Sequence, residues 1–183
     1  MFLSDTDIRE CIKAGKIAIL PAVDDISIRT AGIRVHLDNK ILIPKPGQTI
    51  DLQNPTSLEY DEHFLKNKPY TLLPGQFVLT STIERIQLDR SLLAFIDGRS
   101  TIARLGLTTH LSSTTIDGNY DEPRATTLEM GNIGNFNIIL HYNDFIGMIV
   151  FAEMKTDVCQ SPQKQYQGQD GVAPPSLSFK PTS

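Results

Sequence analysis

The sequence predicts an all-β domain, built as a sandwich or a barrel. The 183 residues include 11 prolines and 12 glycines, so the chain is rich in turn-forming residues. Short apolar runs recur between these turns, at the spacing typical of β-sandwiches and barrels. In the clearest run, Ile33, Val35 and Leu37 alternate with polar residues, which indicates a strand with one buried face.

Two short helices are predicted among the strands. Ser4 and Asp7 have the spacing of a capping box and Gly15 stands where a helix would end, so residues 5–14 form the first helix. A helical turn over residues 100–105, ending at Gly106, is the second. Strands are predicted at residues 16–20, 32–37, 49–52, 70–73, 77–83, 92–96, 108–112, 126–130, 136–140 and 146–153. The rest of residues 44–69 is rich in proline and is predicted to be loop.

The character of the chain changes after Lys155. Residues 156–183 are rich in glutamine, proline, serine and glycine and have few apolar anchors. Such a composition predicts a tail that is disordered, or ordered only on a ligand or partner. We therefore expect a single domain over residues 1–183, with a mobile C-terminal tail from residue 155 onward.

Charge and composition exclude several classes of function. The formal net charge is −4 and there is no basic stripe, so nucleic-acid binding is not expected. No apolar run reaches about 18 residues, and the N-terminus lacks the apolar core of a secretory signal, so neither a membrane span nor secretion is expected. Cys11 and Cys159 stand far apart without a CxxC pattern, and the histidines follow no zinc-binding spacing. These features predict a cytoplasmic protein with reduced thiols and no zinc.

The densest polar cluster lies between Gly98 and Gly106. A glycine-initiated turn that presents backbone N–H groups, the Ser100 hydroxyl and the guanidinium groups of Arg99 and Arg104 is a suitable seat for an anion. Clusters of this composition are also common as solvated surface turns. Composition alone favours the surface turn.

Two carboxylates are candidates for catalysis. Asp117 follows Ile116 at a predicted turn, and Glu129 follows Leu128 in a predicted strand. An inward-facing Glu129 would have a raised pKa, because burial disfavours the charged form, and such a carboxyl suits general acid–base chemistry. The alternative is an outward-facing glutamate on an amphipathic strand, and the residues alone favour that alternative.

Several segments together resemble one family. Residues 97–107, with the sequence DGRSTIARLGL, closely resemble the DGRSSLARLGL signature of the dCTP deaminases, in the dUTPase-like superfamily. The LSDTDI start at residues 3–8, His110 followed by Asp117, the Leu128–Glu129 pair and YQGQ at residues 166–169 are similar to family segments in the same order. The resemblance covers nearly the whole chain, although residues 40–75 contribute little.

The resemblance implies a fold, an assembly and a reaction. The fold would be a distorted β-barrel of the dUTPase-like type, assembled as a homotrimer with active sites between subunits. The reaction would be the hydrolytic deamination of dCTP to dUTP and ammonia without zinc, a step in pyrimidine deoxynucleotide biosynthesis. Mg²⁺ would bind through the substrate phosphates. Feedback by dTTP is a further interaction that the family implies.

The same resemblance implies roles for individual residues. Glu129 would activate a water molecule and pass its proton to the leaving amine. Ser100 and Arg104 would hold the water, the pyrimidine and Glu129 in register. Asp117 would bind the deoxyribose 3′-hydroxyl, and the tail would close over the triphosphate. The residues implied to bind substrate are Arg99, Thr101, Ser112, Ser113, Asp117, Thr127, Tyr166 and Gln169.

The chain departs from the family pattern at several positions. Arg34 stands where an aspartate is usual, and Asp38 stands where a glycine is usual. The hairpin over residues 117–124 is two residues longer before the glutamate, and its Arg124 is a candidate phosphate contact. Thr114 and Thr115 replace a His–Arg pair.

Other functions stay open at this point. The Thr-Thr-Ile-Asp sequence at residues 114–117 is compatible with a bifunctional enzyme that also hydrolyses dUTP to dUMP and pyrophosphate. A dUTPase without deaminase activity is a second alternative, although it would not need Glu129. A non-catalytic nucleotide-binding trimer and a β-barrel interaction module are two more, and the latter leaves the cluster at residues 97–107 unexplained.

Overall fold

The computed structural model describes residues 1–120, 122–160, 166 and 169–177. The helices are α1 (Asp5–Lys13) and α2 (Ser100–Ala103). The strands are β1 (Ile17–Leu20), β2 (Ile28–Arg29), β3 (Gly32–His36), β4 (Lys40–Pro44), β5 (Tyr60–Phe64), β6 (Tyr70–Leu72), β7 (Phe77–Leu88), β8 (Leu92–Gly98), β9 (Leu107–Thr108), β10 (Thr115–Ile116), β11 (Arg124–Asn132), β12 (Ile138–Leu140) and β13 (Phe145–Glu153).

The described strands form three antiparallel sheets. A six-stranded sheet has the order β5-β4-β7-β11-β9, with β1 also paired to β7. A five-stranded sheet has the order β10-β8-β13-β3-β2, and β12 pairs with β6 in a small third sheet. A single bridge between Leu37 and Thr82 connects β3 to β7 across the two larger sheets. The all-β prediction is confirmed, and the described strands do not close into one continuous barrel.

One hydrophobic core joins the two larger sheets. It contains Ile33 and Val35 from β3 and Leu128 and Met130 from β11, and all four are almost fully buried. In both strands the buried residues alternate with more exposed ones, as the period of two requires. This alternation sends the intervening side chains of β11 out of the core. Within the described residues, no helix is long and apolar enough to span a membrane.

Helix α1 begins and ends as its sequence predicts. The Ser4 side chain caps the backbone of Asp7, and the Asp7 carboxylate accepts a hydrogen bond of 2.9 Å from the Ser4 backbone N–H. Gly15, just after the helix, has a φ of 72°, which a glycine adopts without strain. Ile8 is fully buried and fixes the helix to the core.

Several predicted strands are wrong in position or extent. Residues 49–52 form no strand, while β5 lies inside residues 44–69, predicted mostly as loop, and pairs with β4. No strand is predicted for β4, and β5 carries the polar sequence YDEHF because it is an edge strand with little buried area. The strand predicted at residues 108–112 is reduced to β9, and the strand predicted at residues 77–83 extends to residue 88.

Gly106 ends the turn that follows α2, and we expect its replacement by alanine to destabilise the protein. Its φ is 78°, and an added Cβ would lie 2.5 Å from the Gly134 nitrogen. Gly47 has the same φ of 78° but open space around the added atom, so Gly47→Ala is the matched control. Backbone strain should cost Gly47→Ala about 1 kcal/mol. The steric clash should cost Gly106→Ala about 1–3 kcal/mol more in the free energy of unfolding.

Urea denaturation of both variants measures this difference. Equal losses of stability in the two variants would mean that the backbone of residues 133–134 moves away without cost.

Candidate active site

A cleft lies between β7, β11 and the C-terminal tail. Its volume is about 610 Å³. Much of its wall is apolar, with a few polar side chains that converge on it, which is the usual composition of a small-molecule site. The lining residues are Leu58, Tyr60, Phe77, Leu79, Ile86, Ile96, Ser113, Thr115, Ile116, Tyr120, Arg124, Ala125, Thr126, Thr127, Glu129, Tyr166, Gln169, Ala173 and Pro175.

Strand β11 supplies the polar floor of this cleft. Its pairing with β7 is irregular between Ala125 and Thr127, as in a β-bulge. After this irregularity Thr127 lies opposite Ser81 and Glu129 lies opposite Leu79. Because Leu128 points into the core, Thr127 and Glu129 on either side of it both face the cleft.

The environment of Glu129 favours a proton on its carboxyl. Burial raises the pKa of Glu129 above its ordinary value of 4.5. Hydrogen bonds from the backbone N–H groups of Glu129 and Leu111, and the nearby His110, offset this rise in part. The Oε2 atom is buried and has no hydrogen-bond partner in the described structure, which is uncommon for a buried carboxylate oxygen.

This pKa has a consequence for stability. A carboxyl whose pKa is raised by folding does not change the free energy of unfolding at low pH, because it is protonated in both the folded and the unfolded state. It lowers the free energy of unfolding at higher pH, where the unfolded state loses its proton more readily than the folded state. Glu129→Gln removes the charge and keeps the shape. We expect the variant to melt at a higher temperature than the wild type at about pH 8, and at the same temperature at about pH 4 or below.

Thermal unfolding at the two pH values tests this expectation. A lower melting temperature of Glu129→Gln at about pH 8 would show instead that the ionised carboxylate stabilises the fold.

The described part of the tail packs across the cleft of its own chain. Gln169 donates from Nε2 to the Thr127 hydroxyl at 2.5 Å, and Arg124 donates from Nη1 to the Tyr166 carbonyl at 2.8 Å. Arg85 and Asp170 form an ion pair beside these contacts. Tyr166 and residues 169–177 lie against this part of the domain in the described structure, and the sequence-based expectation of a tail that is disordered, or ordered only on a ligand or partner, stays a prediction. The polar side chains of β7 and β11 provide the surface on which the tail packs.

The structure brings together part of the predicted site. Ser113, Thr127, Glu129, Tyr166 and Gln169 all line the cleft. Asp117 is exposed at the edge of the cleft. Burial is the main cause of the raised pKa of Tyr120, and the nearby charge of Asp117 raises that pKa further. The predicted substrate-binding residue Ser112 is exposed and does not line the cleft.

The predicted residues around α2 lie outside this cleft. Ser100, Thr101 and Arg104 are exposed on the helix and its C-terminal end. Arg99, just before the helix, stacks its guanidinium on the Phe145 ring at 4.7 Å. A single chain therefore holds Glu129 and the α2 residues in two different places.

Sequence reasoning missed the aromatic part of the site. Tyr120 and Tyr60 line the cleft, and the Arg124 guanidinium stacks on the Tyr120 ring. The apolar part of the wall includes Leu79 and Phe77, which occupy alternate positions of β7. Strand β7 pairs with β11, and every second residue of β7 near Glu129 faces the cleft. A prediction of this pairing would have identified Phe77 and Leu79.

The described residues contain no group of three or more histidine, cysteine, aspartate or glutamate side chains placed to hold a metal ion. Magnesium prefers oxygen ligands and commonly reaches proteins through substrate phosphates and one or two carboxylates.

Comparison with known proteins identifies the family. The family model described as dCTP deaminase-like matches residues 2–154, which include the cleft floor, α2 and both larger sheets. The chain belongs to the dCTP deaminase-like family. The match ends just before the C-terminal tail.

Individual members of the dCTP deaminase-like family match over most of their length. The chain is 31% identical over 182 residues to a protein of Methanosphaera stadtmanae named dCTP deaminase, dUMP-forming, covering 92% of this chain and 90% of that protein. It is 35% identical over 159 residues to a protein of the same name from Methanothermobacter thermautotrophicus, covering 83% and 79%. It is 31% identical over 191 residues to a protein of Buchnera aphidicola named dCTP deaminase, covering 95% and 97%.

A solved structure shares the fold. The dCTP deaminase from Agrobacterium tumefaciens superimposes with a TM-score of 0.62 at 20% identity and covers 82% of this chain. The chain spans 47% of the length of that solved chain. At this identity the likeness shows the fold, and it agrees with the all-β prediction.

Proposed function

We propose that this protein deaminates dCTP by hydrolysis, giving dUTP and ammonia. The observation that carries the proposal is the half-buried Glu129 on the floor of the cleft, with a raised pKa and one oxygen atom that has no hydrogen-bond partner among the described residues. A carboxyl whose pKa lies closer to neutral pH than that of an ordinary glutamate is suited to accept a proton and then return it. Membership of the dCTP deaminase-like family supports the choice of substrate.

Glu129 mediates two proton transfers in the proposed reaction. It takes a proton from a water molecule as the water oxygen bonds to carbon 4 of the cytosine ring and the electron pair of the C4–N3 double bond moves to N3. Glu129 then gives that proton to the exocyclic amine, the C–N bond breaks, and ammonia leaves as the C4 carbonyl forms and the hydroxyl proton passes to N3. Both transfers require Glu129 to lie within hydrogen-bond reach of the water and the amine. The apolar wall of the cleft keeps other water molecules away from the carboxyl.

We propose that the α2 residues act in the cleft of another subunit of a homotrimer. Ser100 and Arg104 would then hold the water and the pyrimidine beside Glu129, and Arg99 and Thr101 would face the phosphates. The exposure of Ser100, Thr101 and Arg104, outside the cleft of their own chain, supports this arrangement. Each complete site would need two chains.

The remaining proposals concern the substrate and its surroundings. Asp117 and the predicted residues of the cleft would bind the nucleotide, and the tail from residue 155 would act as a lid on a single dUTPase-like domain.

Mg²⁺ would be bound through the triphosphate, where it would neutralise phosphate charge. We retain dTTP as a proposed feedback effector. Free Cys11 and Cys159 agree with a reducing, cytoplasmic location.

A second candidate is the bifunctional enzyme that releases dUMP and pyrophosphate. Two relatives with 31% and 35% identity carry the name dCTP deaminase, dUMP-forming, which favours this candidate. In that case Asp117, at the cleft edge, would orient a second water molecule toward the α-phosphate.

Product analysis separates the candidates. The purified protein is incubated with dCTP and Mg²⁺, and nucleotides, ammonia and pyrophosphate are quantified. Ammonia with dUTP supports the deaminase, and ammonia with dUMP and pyrophosphate supports the bifunctional enzyme. Hydrolysis of dUTP without turnover of dCTP would make the protein a dUTPase. No turnover of either nucleotide would overturn the proposed function.

A further inference from the structure

Two arginines from different strands meet at one aromatic ring outside the cleft. Phe145 begins β13, with β3 on one side and β8 on the other. Arg34 of β3 places its guanidinium carbon 5.0 Å from the Phe145 ring centroid, and Arg99 at the end of β8 places its own at 4.7 Å. Because both lie so close to one ring, the two positive charges are no more than about 10 Å apart, which is about one Debye length at 0.1 M salt.

Neither arginine forms an ion pair with another described residue. The nearby Glu84 is engaged by His36, through the ring nitrogen Nδ1 at 2.6 Å and the backbone N–H at 2.8 Å. The carboxylate of Asp24 accepts hydrogen bonds from the Ser27 hydroxyl and backbone N–H. These bonds are the main cause of the lowered pKa of Asp24, and the charge of Arg34 lowers that pKa further. The two guanidinium groups therefore keep most of their capacity to bind an anion.

Arg34 also has a buried donor without a partner. Its Nε atom is inaccessible to solvent and makes no hydrogen bond in the described structure. A buried donor usually finds a partner, because leaving it unpaired costs free energy. Contact with the Phe145 ring holds the guanidinium plane in place, which preorganises it for a planar, bidentate partner such as phosphate.

We infer that Arg34 is a further phosphate-binding residue, which binds the polyphosphate group of a nucleotide beside Arg99, whose phosphate contact is already part of the proposed function. Two separated guanidinium groups fit two neighbouring phosphates, so a triphosphate or diphosphate should bind better than a single phosphate. The inference rests on the proposed function only for the identity of the nucleotide.

Binding of inorganic tripolyphosphate tests the inference without any turnover. Calorimetric titration compares the wild type, Arg34→Gln and the control Arg29→Gln, which removes an exposed arginine from the neighbouring strand β2. We expect Arg34→Gln to bind tripolyphosphate roughly 10- to 100-fold more weakly, as for the loss of a hydrogen-bonded charge. Arg29→Gln should bind as the wild type does, and orthophosphate should bind more weakly than tripolyphosphate to the wild type.

Activity gives a separate readout. If dCTP is the substrate, Arg34→Gln should raise KM for dCTP by a similar factor and leave kcat nearly unchanged, since the phosphates do not react during deamination. Weakened tripolyphosphate binding in a protein that does not consume dCTP would sink the proposed function and leave this inference standing. Wild-type affinity for tripolyphosphate in an active Arg34→Gln variant would overturn this inference alone.

The wild-type protein supplies a measurement that does not depend on the folding of a variant. Phenylglyoxal modifies accessible arginines, and mass spectrometry locates the modified positions. Tripolyphosphate should protect Arg34 and Arg99 from modification and should leave Arg29 reactive. Equal modification of Arg34 with and without tripolyphosphate would overturn the inference.

Discussion

Replacing Glu129 with glutamine is expected to lower kcat for dCTP deamination by about 1,000-fold, within the usual range for the loss of a general acid–base group. The amide cannot accept the proton of water, although it keeps the size of the side chain and the acceptor that faces Leu111. KM for dCTP should change little, because the carboxyl acts on the reacting atoms. Initial rates of ammonia release across a range of dCTP concentrations give both constants.

Glu153→Gln is the matched control for this variant. Glu153 is also a strand glutamate, but it is exposed at the end of β13, in the other large sheet. Its replacement should leave kcat within about twofold of the wild type, as for a surface substitution away from the site. Turnover by Glu129→Gln at the wild-type rate would remove Glu129 from the mechanism.

Removal of residues 160–183 is expected to reduce kcat/KM for dCTP by about 100-fold, while the melting temperature changes little. The described tail contributes Tyr166 and Gln169 to the cleft wall, so its loss opens the site to water and frees the substrate to move. The tail contacts outside the cleft, such as the Arg85–Asp170 ion pair, are exposed and add little stability. Steady-state kinetics and thermal unfolding measure the two effects.

A shorter deletion, of residues 178–183, keeps every described tail contact and serves as the control. Its kcat/KM should stay much closer to that of the wild type. If the longer deletion lowers the melting temperature by many degrees, the tail is a structural element of the domain and the loss of activity has another cause.

The sequence predicts those parts of the fold whose pattern is local. The capping box of α1 and the alternation of Ile33, Val35 and Leu37 each follow from residues close together in the chain, and the structure confirms both. Strands β4 and β5 could not be predicted in this way. They are stabilised by pairing with each other and by the contact of β4 with β7, and such partners are distant in sequence.

The candidate site likewise depends on contacts between residues that are distant in the sequence. The residues around Glu129 alone favour a solvent-facing glutamate, and only the resemblance to dCTP deaminases gives it a catalytic role. The structure turns Glu129 toward the cleft because Leu128 and Met130 occupy the core positions on either side. The meeting of Arg34 and Arg99 at Phe145 depends on the order β8-β13-β3, which no local pattern contains.

The packing of the tail on its own chain makes it a tethered ligand. Only twelve residues separate Glu153, at the end of β13, from Tyr166 along the chain. A short covalent connection of this kind produces an effective concentration on the order of millimolar, so contacts too weak to hold two separate molecules together still hold the tail in place. A nucleotide that contacts both the cleft and the tail, as proposed above, would add its interaction energy to a contact that the tether already favours.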